Sequence, residues 1–131
     1  GTDANNGGSA SHNFICYAWK AVKGVSAFGS YTGNAGSVTV TYPQINNEAN
    51  QFSARFIMVK CITASAWWVI NDTTRGITNR LFANDSAYEE PDTGTQNFYP
   101  TITSTGFSYP SSVTHGNHNA NGETYIYMAF A

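Results

Sequence analysis

Residues 55–76 read RFIMVKCITASAWWVINDTTRG, and this stretch decides the fold. Phe56-Ile57-Met58-Val59 and Trp67-Trp68-Val69-Ile70 are β-forming runs, each the length of a strand and too short for a free-standing helix. The short polar connection Thr63-Ala64-Ser65 between them suits a hairpin. The expected arrangement is a central hairpin of an all-β domain on which everything else is layered. Along 55–62 both faces are apolar: Ile57, Val59 and Cys61 alternate with Phe56, Met58 and Ile62. Such a strand is covered on both sides, by a second sheet and by something else. A partner subunit is one candidate for that second cover, which makes Phe56, Met58 and Ile62 the expected subunit-interface strand and a homo-oligomer the expected state.

Composition leads to the same fold class. Ser, Thr, Asn and Gly supply 53 of 131 residues, and Leu81 is the single leucine. Helices draw on Leu, Ala, Glu, Lys and Arg, whereas Val, Ile, Thr and the aromatics suit a pleated surface. With 15% aromatics and 11% charge, the chain reads as strand and turn. An antiparallel β-sandwich, jelly-roll-like or of a similar kind, with long polar loops, is the expected architecture. One domain is expected over 13–131, after a Gly/Asn/Ser-rich loop or arm over 1–12. The start at Gly1, without an initiator Met, reads as a processed or carved-out piece of something longer. A net charge of −2 and few basic residues argue against nucleic acid. No apolar run approaches the ~18 residues of a membrane-spanning helix.

Further strands are expected over 13–19, over 25–31 with an interruption at Gly29, over 37–42, over 102–109 and over 124–130, with a short one over 79–82. In 37–42 the alternation is clean: Val38, Val40 and Tyr42 on one face, Ser37, Thr39 and Thr41 on the other. Residues 44–53, 83–100 and 115–122 read as polar loops. Residues 12–19 (HNFICYAW) echo 123–130 (ETYIYMAF) register by register, as the end of one repeat unit followed by a second.

No catalytic set emerges: GxSxG, HExxH, P-loop and GxGxxG motifs are all missing from the sequence. Glu89 and Glu90 are adjacent, so on a strand they point to opposite faces and cannot converge as an acid/base pair. No enzyme activity and no cofactor are expected. His115 and His118 form a His-x-x-His in a Gly/Asn loop, a weak metal motif; two solvent-exposed loop histidines are the plainer expectation. Asp72 and Arg75 flank a turn as a carboxylate–guanidinium clamp, with Gly76 free to take a positive φ. Trp67 and Trp68 face opposite sides if they share a strand. Either one enters the core and the other offers a stacking or interface surface, or a two-sided cover buries both. With Trp19 they are the candidate ligand or interface aromatics. Cys16 and Cys61 read as two buried, reduced thiols. Asn71-Asp-Thr73 and Asn84-Asp-Ser86 fit the N-glycosylation pattern.

Several blocks, taken in order, are similar to a bacteriophage structural family. They are VSAFGSYTGN (25–34), FIMVK (56–60), WWVINDTTRG (67–76) and YIYMAFA (125–131). The resemblance spans most of the chain from Asn13 onward; the loops over 44–53 and 89–100 depart from it. Members occur as tandem or C-terminal modules of large virion and tail-fibre proteins. The resemblance implies a non-enzymatic part of the virion, an extracellular particle assembled in the host cytoplasm: tail fibre, spike or capsid decoration. Its partners would be other virion structural proteins, and no catalytic residues carry over. The alternative is a carbohydrate-binding or host-adhesion module, in which an exposed aromatic such as Trp68 meets a host surface glycan beside Asn and Asp side chains.

Overall fold

The computed structural model describes residues 16–91 and 99–131. It is an all-β sandwich of two antiparallel sheets, with no helix among the described residues. The strands are β1 (Ser26–Thr32), β2 (Val38–Thr41), β3 (Phe56–Cys61), β4 (Trp68–Asp72), β5 (Asn79–Phe82), β6 (Glu90–Pro91), β7 (Thr101–Thr103), β8 (Gly106–Tyr109) and β9 (Thr124–Phe130). The larger sheet has six strands in the order β1-β9-β3-β4-β5-β6, and the smaller has three in the order β2-β8-β7. The hairpin β3–β4 lies at the centre of the larger sheet, with Lys60 opposite Trp68 and Phe56 opposite Asp72.

Alternation along the strands builds the core. Ile57, Val59 and Cys61 of β3 and Tyr125, Tyr127 and Ala129 of β9 point inward and are buried. They meet Val40, Phe107 and Tyr109 from the smaller sheet, closed by Tyr42, Phe52 and Val113. Aromatic edges knit the two layers: Phe107 lies 5.2 Å from Tyr127 and 6.0 Å from Tyr31, both near perpendicular. Gly106 is required where the smaller sheet pairs, because a Cβ there would run into the Val40 carbonyl oxygen.

Three strand expectations are corrected. Residues 16–19 belong to no strand and are exposed; the remainder of the 13–19 stretch, and with it most of the first half of the internal echo, lies outside the described residues, as does the 1–12 arm. The chain turns just ahead of β1, where the N–H groups of Val25 and Ser26 both donate to the Val22 carbonyl at 2.9 Å. That turn admits the chain to the sheet edge only at Ser26. Residues 102–109 are not one strand but a hairpin, β7–β8, turning at Ser104-Thr105. Gly29 does not interrupt β1: the strand pairs with β9 without a break from Ser26 to Thr32.

Candidate functional site

The outer face of the larger sheet is the most distinctive surface. Its outward positions are those that alternate with the core residues, and the register lines them up across the strands. Phe28 pairs with Met128, Met128 with Met58, Met58 with Ile70, and Ile70 with Leu81. The result is one apolar row across five strands, every member half-buried. Phe130 and Phe56 extend it on one side, Phe130 lying edge-on to Phe28 at 5.6 Å and to Phe56 at 6.0 Å. Ile126 and Trp68 extend it on the other, 43% and 39% exposed, around a groove of about 300 Å3 floored by Met58 and Met128.

Two charged residues border the row, and both are held within the chain. Lys60 Nζ donates to the Ala66 carbonyl at 2.9 Å. Asp72 accepts from the backbone N–H groups of Thr74 and Arg75, each at 2.9 Å, and from Arg75 Nε at 2.6 Å. The Arg75 backbone N–H is the main cause that holds the Asp72 carboxyl below its usual range. Gly76 follows with φ of 100°, a left-handed turn that suits glycine. Arg75 also reaches Glu89 at 3.7 Å, while Arg80 takes Glu90 through Nε and an Nη at 3.0 and 2.8 Å. The neighbouring glutamates therefore serve two separate arginines.

Of the proposed interface strand, Phe56 and Met58 lie on the outer face half-buried, and Ile62 just past β3 is 55% exposed. Among the described residues, the Ile57–Val59–Cys61 side of β3 is the one buried in the core. The two tryptophans part company, but neither enters the core. Trp68 begins β4 on the outer face. Trp67 precedes the strand, 42% exposed, with its ring 4.6 Å from Phe82. Trp19 is exposed and stacks on Tyr17 at 5.9 Å, away from any strand.

The histidine loop differs from its solvent-exposed expectation. His118 is fully buried against Tyr109 at 5.2 Å. Burial pushes its pKa down to about 3, and Arg80 and His115 add to the same effect. The loop is tied to the end of β1: the Tyr31 hydroxyl donates to the His118 carbonyl at 2.6 Å, and the Ala35 N–H donates to the Asn119 carbonyl at 3.0 Å. Asn117 Oδ1 accepts from the Trp67 N–H at 3.1 Å. Asn119 holds the loop from within, its amide donating to the Val113 carbonyl at 2.9 Å. Nothing in the residue types signalled this beyond the capacity of Asn to replace backbone partners. No group of three or more potential metal ligands occurs among the described residues.

Cys61 is buried as expected, but Cys16 is exposed, because the strand that was to carry it does not form over 16–19. Asn71 is buried with its amide donating to the carbonyls of Ile77 and Asn79, so it is closed to glycosylation. No helix among the described residues is long and apolar enough to cross a membrane.

Comparison with protein families gives a match over the whole sequence. The chain belongs to the DUF7483 family, a domain of unknown function, which matches residues 1–131. No curated protein and no solved structure matches the chain. The family match spans both sheets and the histidine loop, so the outer face and the loop lie within one family unit.

Proposed function

We propose that this domain is a non-enzymatic structural module of a bacteriophage particle — tail fibre, spike or capsid decoration — that assembles by packing the outer face of its larger sheet against a second copy. The observation that carries the assembly is the five-strand row Phe28–Met128–Met58–Ile70–Leu81. At ~4.8 Å per strand it is about 19 Å wide. Single exposed hydrophobic residues are ordinary, but a contiguous apolar face of this extent on a folded domain marks an interaction surface. A second copy fits the chemistry because the row is apolar from Phe28 to Leu81 and so can match itself, as a two-fold interface must. Asp72 at one border is already paired with Arg75, and Lys60 at the other bends its ammonium to the Ala66 carbonyl beside the row.

The particle assignment rests on the ordered blocks that resemble phage structural modules, and the non-enzymatic reading on the same resemblance. Immunogold labelling of intact virions of a phage encoding this chain tests it. Label on capsid or tail is the expected result. Particles that remain bare while the lysate stains would overturn it.

A further inference from the structure

A second surface has the features of a binding site, independent of the association proposed above. Three loops meet at a pocket of about 340 Å3 lined by Ser65, Ala66, Trp67, Asn84, His115 and Asn117. That volume accommodates a small ligand or one unit of a larger one. The loops are sewn together by the two asparagines. The Trp67 N–H donates to Asn117 Oδ1 at 3.1 Å, and the Trp68 N–H donates to Asn84 Oδ1 at 2.8 Å. Using each oxygen this way fixes the orientation of the carboxamide and leaves its NH2 as the remaining hydrogen-bonding group. Asn117 is 4% exposed, and neither NH2 has a partner among the described residues. Asn117 is buried and lines the pocket, so its NH2 is offered to an acceptor there, and Asn84, which is exposed, offers a second.

The other walls complete a neutral, amphipathic site. His115 Nδ1 accepts from the Asn117 N–H at 3.2 Å. That bond requires the uncharged imidazole with its proton on Nε2. Ser65 adds a hydroxyl, and Trp67 an indole braced by Phe82. Among the described residues, no carboxylate, lysine or arginine lines the pocket.

We propose that this pocket binds one neutral pyranose unit of a glycan. The C–H face of the ring would lie on Trp67, and its hydroxyl or acetamido oxygens would accept from the Asn84 and Asn117 amides. Fixed donors beside an aromatic plane match the alternating apolar and hydroxylated faces of a sugar. A nucleotide would present the same aromatic plane with a phosphate, and the described lining holds no lysine or arginine to meet it. Trp67, rather than Trp68 on the outer sheet face, is the aromatic of this site.

The test is a 1H–15N NMR titration of the intact domain with methyl pyranosides of glucose, galactose, mannose and N-acetylglucosamine, with adenosine monophosphate as the contrast. The proposal expects saturable shifts of the Trp67 indole and of the Asn84 and Asn117 side-chain amides with at least one sugar. Trp67→Ala should abolish them and Trp68→Ala should leave them in place. Asn84→Asp keeps an oxygen for the Trp68 N–H but removes the donor, and should weaken binding at least about tenfold. Four results would overturn the proposal: no saturable shift at Trp67 with any sugar, response to the nucleotide alone, unchanged affinity in Asn84→Asp, or binding that survives Trp67→Ala.

Discussion

Lowering the pH from 7 to 5 should destabilise this domain through one buried imidazole. His118 is fully buried and its folded pKa is pushed down to about 3, by burial first and by Arg80 and His115 second. In the unfolded chain the same group titrates near ~6.5. Between these values the unfolded state binds the extra proton, so stability is complete above about 6.5 and falls as the pH drops toward about 3. Once the pH is well below 6.5 the slope is about 1.4 kcal/mol per unit. From pH 7 to pH 5 the loss integrates to about 2 kcal/mol, or a Tm drop of roughly 5–10 °C for a domain of this size. His115, whose pKa is also lowered by burial, contributes with the same sign. The assay is urea unfolding followed by tryptophan fluorescence at half-unit steps, staying above pH 5 to avoid the carboxylates. His118→Gln will be less stable at pH 7, but its slope should be shallower by one proton's worth. A native protein whose stability is flat over this window, or a His118→Gln slope equal to the native one, would refute the reasoning.

Other perturbations give equally definite expectations. Asp72→Ala removes an acceptor from two backbone N–H groups and a guanidinium, and should cost about 1–2 kcal/mol in thermal melts. Because the folded pKa of Asp72 is lowered, its contribution is present above about pH 4 and lost as the pH falls through the lowered value, so the native and Asp72→Ala curves should converge in acid. Gly106→Ala drives a methyl group into the Val40 carbonyl oxygen and must part β2 from β8. A loss of about 2–3 kcal/mol is expected, read as a lower urea midpoint, and a neutral result would contradict the pairing.

What the sequence disclosed, and what it hid, follows from the range of the forces involved. The central hairpin was legible because residues 56–59 and 67–70 concentrate β-forming side chains around a short polar gap. The inward face of β2 was legible from the Val38–Val40–Tyr42 alternation, and of these Val40 and Tyr42 are buried. β9 begins and ends where its residues predict, at Thr124 and Phe130. The β7–β8 hairpin was missed because its Ser104-Thr105 turn carries no Asn-Gly or Asp-Gly signal. The strand over 13–19 was expected from side-chain type alone, yet a strand also needs a neighbour, and 16–19 pair with no strand among the described residues. The burial of His118 depends on partners far along the chain, Tyr31 and Tyr109. No local pattern encodes that, so the polar residues of this loop read as residues that face water. The two tryptophans illustrate the same limit: adjacency separated them, but only the assembled loops gave Trp67 its pocket.

The central claim is that the row through Met58 is covered by a second copy, and sedimentation equilibrium over a concentration series tests it most directly. Met58 is half-buried on the outer face, so Met58→Glu keeps its charge in water in the single chain and strands it in the assembly. An unpaired buried charge costs about 3–5 kcal/mol, a loss of affinity of at least about a hundredfold. The account predicts that the native domain reaches twice the chain mass as concentration rises, while Met58→Glu keeps its β-sheet circular dichroism and stays at the mass of one chain. A native domain that remains a single chain throughout, or a Met58→Glu variant that associates as tightly as the native one, would contradict it.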